Sequence, residues 1–430
     1  MKTLLAYDPQ NQSKAVCRVN IFTMLVLVLF GLFIEGDPQK SIQGLWTIWT
    51  SEGGLVRDYV VIGGIGAAFL NSGLAMLLAI VVTIISGAQF SGPSLGACYI
   101  VAGFAIFGKN IPNMIPLILG TWLYSVLKKE SFAKNVNVAL WATCAGPIVQ
   151  YLMVQGRLGS PAANFALGFA VAVVIGMVIP MVAGFTSRLH SGYLIYNVGF
   201  ATGFVLTVTV ALLTSFGFKF AGSSVWAEGY HTTLAILIGG IFAVHLVAGV
   251  LLNGGFKGLG KLMKYTGQLP CDYVALEGLP VVLINMGLLG LMMLGYLLAV
   301  GGNVSGPVVA GIITVGGFGG LGKNYYNCIW GVLGIVLLSF VSVWNLNDGA
   351  VMLGACFVTC ICGVAGKYGP IWGIISGMLH VSIVRNIAVN YGWLNLYNNG
   401  YAAGIALLIL LPVIEYVNAL LGKSEEKKAS

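Results

Sequence analysis

Residues 58–74 read DYVVIGGIGAAFLNSGL, and residues 272–288 read DYVALEGLPVVLINMGL. The two stretches share Asp58/Asp272, Tyr59/Tyr273, Asn71/Asn285 and Gly73/Gly287 at an offset of 214. At that offset SGPSLGACYIVAGFAIFGKN (91–110) aligns with SGPVVAGIITVGGFGGLGKN (305–324), so Ser-Gly-Pro, Gly-Phe and Gly-Lys-Asn recur in register. Asn113/Asn327 and Gly120/Gly334 continue the match. Near the end of each half, YLIYNVGFATG (193–203) aligns with LNLYNNGYAAG (394–404) at an offset of 201. Polar triplets repeated at one spacing mark a duplication, which governs every other reading of the chain.

The duplicated unit is a membrane unit. Of 430 residues 58% are hydrophobic and 8% charged, with a mean hydropathy of +0.93; soluble domains carry about 25% charged residues. The 21 basic and 13 acidic residues cannot cover a water-facing surface of this size. A soluble enzyme, a disordered chain and a nucleic-acid binder are thereby excluded, despite the net charge of +8. The 61 glycines point to closely packed helices. The first 16 residues are polar and lack a signal-peptide pattern, so the run from Cys17 to Ile34 reads as a retained membrane helix.

A bilayer core takes about 20 apolar residues per helix. Fourteen runs qualify: 18–35, 59–86, 91–107, 112–127, 137–154, 163–185, 195–216, 229–253, 273–300, 304–321, 325–344, 349–366, 370–386 and 399–421. With the N-terminus in the cytoplasm, 15 basic residues fall inside and six (Lys40, Arg57, Lys109, Arg157, Lys219, Arg385) outside, as the positive-inside rule requires. The expected fold is an all-α polytopic protein of the cell membrane (the bacterial inner membrane), with both termini cytoplasmic. Its fourteen spans form two seven-helix repeats, and seven is odd, so the second is inverted. Broken or half helices are expected at the short third and tenth spans. The division is a cytoplasmic segment 1–16, repeat 1 over 17–220, repeat 2 over 221–421 and a cytoplasmic tail 422–430.

Inverted repeats underlie alternating access. Ser91-Gly92-Pro93 and Ser305-Gly306-Pro307 read as helix starts after the polar breaks that hold Gln89 and Asn303. If those helices begin within the membrane, their N-termini face one shared site suited to an anionic or strongly polar solute; the alternative is a pair of ordinary surface junctions. Asn71, Asn285, Asn197 and Asn398 are mid-span or span-edge amides, read either as solute contacts or as interhelical hydrogen bonds. The lysines of Gly-Lys-Asn (109 and 323) read first as interface anchors, with a gate as the alternative. Three groups break the repeat: Glu277 (partner Gly63), His380 (partner Ile179) and Asp348 at the start of the twelfth span. Duplication does not explain them, and ionisable groups at membrane depth suit ion coupling.

The combination DYVVIGGIGAAFLN, GFAIFGKN and NLYNNGYAAG resembles a family of bacterial polytopic membrane proteins known as domain of unknown function 1576, over nearly the whole chain. That resemblance implies no particular substrate. The seven-plus-seven architecture with paired short helices at positions three and ten resembles, in topology rather than motif, the nucleobase and sulfate permease group, whose paired half-helices form the substrate site. LYNNGYAAG and FLNSGL are similar to Asn-rich elements of urea channels, which line a pore for neutral solutes.

The expected function is secondary transport of a small polar or anionic solute by alternating access, coupled to H⁺ or Na⁺. The alternative is a channel or facilitator for a small neutral solute. The chain is expected not to be an enzyme and to need no metal or cofactor. Its partners are the lipid bilayer, the solute and the coupling ion, and an oligomer is compatible with this reading.

Overall fold

In lipid a backbone finds hydrogen-bond partners only in itself, so apolar runs of this length fold as helices. The structure, a computed structural model, describes residues 11–421. The tail 422–430, most of the segment 1–16 and the basic residues Lys2, Lys423, Lys427 and Lys428 lie outside the described residues.

The first half comprises α1 (Gln12–Phe33), α2 (Pro38–Thr50), β1 (Val56–Arg57), α3 (Tyr59–Gly63), α4 (Ile65–Ile85), α5 (Gly92–Phe104), α6 (Ile111–Leu127), α7 (Val136–Ala142), α8 (Gly146–Gln155), α9 (Pro161–Leu189) and α10 (Asn197–Ser215). The second comprises β2 (Ser224–Val225), α11 (His231–Asn253), α12 (Leu259–Leu262), α13 (Tyr273–Glu277), α14 (Leu279–Ala299), α15 (Gly306–Gly317), α16 (Tyr325–Ser339), α17 (Gly349–Phe357), α18 (Cys362–Tyr368), α19 (Pro370–Val384) and α20 (Asn398–Leu420). Among the described residues nine helices are long and apolar enough to cross a membrane, counting α7–α8 and α17–α18 as one each. Five shorter apolar helices, α5, α6, α15, α16 and α19, accompany them. Each of the fourteen apolar runs holds one of these.

The breaks lie elsewhere than the sequence places them. α5 and α15 are short but unbroken; the 13 residues of α5 reach about 20 Å at 1.5 Å per residue, against a hydrocarbon core of about 30 Å. The interruptions fall instead in the second and ninth runs, at Gly64 (φ +93°) and Gly278 (φ +83°). Only glycine adopts that backbone without strain. The fifth and twelfth runs are interrupted as well, by 3-10 turns at 143–145 and 358–361. The helix α2 has no counterpart among the fourteen runs because Gln39, Lys40 and Gln43 make it too polar. It begins where Asp37 accepts from the Gln39 N–H and Pro38 occupies the first turn.

Packing repeats with the elements. α1 lies on α4 as α11 lies on α14, and α6 lies on α9 as α16 lies on α19. Across the halves, α5 packs on α15 and α10 on α20. The strongest contacts thus fall into two groups, α1–α5 with α11–α15 and α6–α10 with α16–α20. β1 and β2 add a parallel link, Val56 to Ser224 and Arg57 to Val225.

Candidate functional site

α5 and α15 cross side by side, with almost every residue buried. A Cβ added at Gly92 would lie 2.1 Å from the Gly320 carbonyl oxygen; one at Gly103 would lie 2.8 Å from Ala310 O, and one at Gly306 2.9 Å from Ile106 Cγ2. The helices therefore run antiparallel, the start of each beside the end of the other. The N-termini expected to meet at one site are separated, and their N–H groups are occupied. Gly92 N donates to Asp272 Oδ1 (3.2 Å), and Gly306 N donates to Asp58 Oδ2 (3.0 Å). Each short helix is thus capped by a carboxylate of the other half, a charge-favoured arrangement at a helix N-terminus. Asp58 also accepts from Val60 N (3.0 Å) and Ala227 N (2.9 Å). Burial pushes its carboxyl up to about 6 against the pull of those three backbone donors.

The remaining predicted residues divide between framework and cavity wall. Asn71 donates to Ala105 O (2.7 Å) and Lys109 O (2.8 Å), and Asn285 donates to Gly319 O and Lys323 O (2.8 Å each). These bonds recur at the offset of 214 and fix the two Gly-Lys-Asn turns. Asn303 donates to Ala227 O, Gln89 is exposed, and Ser91 starts α5. The Ser305 hydroxyl is buried without a hydrogen-bond partner among the described residues. Asn197 donates to Ala183 O and accepts from Thr186, with His190 2.9 Å away. Asn398 donates to Val384 O and accepts from Tyr391, so this arrangement recurs at the offset of 201.

The three groups proposed for ion coupling do not converge. Glu277 lies on α13, in a 2.8 Å ion pair with Lys261 and accepting from Tyr265. Asp348 stands 3.8 Å from Arg385. His380 is buried in α19, its Nε2 3.3 Å from Asn399 O and its Nδ1 without a partner among the described residues.

Two cavities occupy equivalent places in the two halves. The larger, about 400 Å³, is lined by Pro93, Trp141, His190, Asn197, Leu269 and Leu321, among others. The smaller, about 70 Å³, is lined by Leu55, Phe104, Phe107, Phe357, Asn398 and Asn399, among others. Leu55/Leu269 and Phe107/Leu321 are related by 214, and Asn197/Asn398 by 201.

Between the cavities lies a layer that sequence reading missed. Lys109 and Lys323 are not surface anchors; each is fully buried. Lys109 Nζ donates to Tyr397 Oη (2.7 Å) and stands 4.7 Å from that ring's centre. Lys323 Nζ donates to Tyr196 Oη and to Thr359 Oγ1 (2.7 Å) and stands 4.4 Å from the Tyr196 ring. Each lysine of one half thus grips a tyrosine of the other. Ring contacts join the pairs: Tyr397 to Phe104 (4.9 Å), Phe104 to Phe357 (5.4 Å) and Phe357 to Tyr196 (6.2 Å). The available signal was the identical Gly-Lys-Asn in both halves, together with the tyrosine preceding Asn197 and Asn398.

Fold and site define an apolar helical membrane protein. The family described as "Protein of unknown function (DUF1576)" matches residues 37–215 and 251–416, and the chain belongs to it. No curated protein and no solved structure matches the chain.

Proposed function

We propose that the chain is a secondary transporter of a small polar or anionic solute that works by alternating access, coupled to H⁺ or Na⁺. In this reading the fourteen apolar segments are two inverted units of seven. Both termini are cytoplasmic in the cell membrane, and the larger cavity faces inward. The supporting observation is the pair of equivalent cavities, about 400 and 70 Å³, on either side of one aromatic layer. Two halves that exchange shapes would exchange these volumes. The lysine–tyrosine pairs bridge the two helix groups, because Lys109 and Lys323 sit in the α5–α6 and α15–α16 links. They are the contacts such an exchange must remake.

Ser187, at the larger cavity, and Ala350, at the smaller one, suit a maleimide test as single cysteines in sealed vesicles of known orientation. Ser187→Cys is expected to react from one side and Ala350→Cys from the other. Adding Tyr397→Phe, which loosens the pair beside the smaller cavity, is expected to raise labelling at 350 and lower it at 187. Labelling that rises at both positions together indicates a continuous pore and the channel alternative.

A further inference from the structure

We infer that Lys323 and Lys109 are the solute-binding charges of this transporter, Lys323 at the larger cavity and Lys109 at the smaller, and that the solute is a small organic carboxylate. The inference rests on the transporter reading and names its binding groups and substrate class.

Position is the first ground. The larger cavity is lined by Leu321, two residues before Lys323, and by Asn197, next to its partner Tyr196. The smaller is lined by Phe107, two residues before Lys109, and by Asn398, next to Tyr397. Each lysine–tyrosine pair therefore lies behind the wall of one cavity, next to residues that line it. Asn285 and Asn71 hold the lysine carbonyls at 2.8 Å, so the turns that present the two ammonium groups are fixed.

Charge is the second. A buried ammonium is costly unless paired. The ion pairs among the described residues engage Arg57, Lys128, Lys261 and Arg385; Lys109 and Lys323 have hydroxyls and ring faces instead. An ammonium carries three donors, and Lys109 uses one, on Tyr397. A carboxylate makes the stronger, charge-assisted bond and displaces a neutral hydroxyl. The lysine–tyrosine bond is thus a latch that an incoming anion opens.

The walls supply the class. Pro93, Trp141, Leu269, Pro270 and Leu321 give the larger cavity a mainly apolar lining, with His190, Asn197 and Ser187 as its polar minority. An apolar wall with one cation behind it suits a carboxylate on a short hydrocarbon body better than sulfate or phosphate, which need donors all round.

The test is thermal unfolding of the purified full chain, titrated at constant ionic strength with sodium acetate, lactate, benzoate, succinate, sulfate and phosphate. At least one carboxylate is expected to raise the midpoint saturably. Lys323→Gln should weaken that binding at least about tenfold, as loss of a charged hydrogen bond does, and Lys323→Arg should restore part of it. Tyr196→Phe should tighten it several-fold, because the competing hydroxyl is gone; a merely structural tyrosine would weaken it. No carboxylate shift, a shift indifferent to Lys323→Gln, or a Lys323-dependent shift with sulfate or phosphate alone overturns the inference. Counterflow of the same carboxylate in proteoliposomes separates the two readings. Lysine-dependent binding without counterflow defeats the transporter and keeps the site. Counterflow that survives Lys323→Gln and Lys109→Gln defeats the site and keeps the transporter.

Discussion

The turn that carries Lys109 and the turn that carries Lys323 are built from the same hydrogen bonds, yet they sit beside cavities of about 70 and 400 Å³. The shared part is the framework: the Asn71 and Asn285 amides, the Asn110–Asn113 and Asn324–Asn327 capping boxes, and the aspartates on the opposite helix starts. The differences lie around it. Lys323 has a second acceptor in Thr359, where among the described residues Lys109 has only Tyr397. Asn71 Oδ1 accepts from Trp49 Nε1 (3.0 Å), whereas Asn285 Oδ1 is buried without a partner among the described residues. Trp49 comes from α2, and the second half has only the single turn α12 in its place. Under the proposed alternating access, a common framework with unequal surroundings would let the two halves adopt the same shapes while favouring different ones. In a transporter that inequality sets which side is open at rest.

The largest effect is expected where the halves touch most closely. A Cβ at Gly92 meets a backbone carbonyl at 2.1 Å, which cannot yield without moving α15; a Cβ at Gly306 meets Asp58 Oδ1 at 2.3 Å, the end of a side chain. Gly92→Ala should cost about 3 kcal/mol and Gly306→Ala clearly less, at the lower end of overpacking costs. Unfolding midpoints of the two variants measure the difference. Equal losses would mean that the crossing is symmetric in energy as well as in sequence.

A smaller effect concerns the two amides. Asn71→Ala removes three hydrogen bonds and Asn285→Ala two, so the first should cost about 1 kcal/mol more. Trp49→Phe should erase that gap, since it leaves Asn71 Oδ1 as bare as Asn285 Oδ1. The double-variant cycle reads the Trp49 contribution directly. A gap that persists in the Trp49→Phe background would assign the asymmetry to something other than α2.

These pairs also show what was legible in the sequence. Asn71/Asn285 and Lys109/Lys323 could be paired from spacing alone, because duplication preserves register. The fourteen apolar runs could be delimited because length and apolarity are local properties. What each pair does was not legible. The lysines look like anchors until Tyr397 and Tyr196, 288 and 127 residues away, are brought over them. Ser-Gly-Pro announces a helix start, but not that Asp272 and Asp58 come from the other half to cap it. The antiparallel crossing that separates the two starts is likewise a tertiary fact. Glu277 attracted attention by breaking the repeat, and its partners Lys261 and Tyr265 lie just upstream of the same apolar run, within reach of a local reading.

The smallest expected effect follows from the burial of one of those two aspartates. Asp58 is fully buried, while Asp272 keeps partial exposure. Burial raises the Asp58 carboxyl from its ordinary 3.8 to about 6, so the folded chain binds that proton more tightly than the unfolded chain does. Its contribution to stability is therefore fully present below 3.8 and is lost as pH rises through about 6. Asp58→Asn removes the titration and leaves a pH-independent offset from the misplaced amide. The midpoint of Asp58→Asn minus that of the wild type should rise between pH 4 and pH 7. If the difference stays flat, burial of the α15 cap has no electrostatic consequence. If it rises as expected, the folded chain takes up a proton at the buried cap of α15 as the pH falls, and the fold gains stability there.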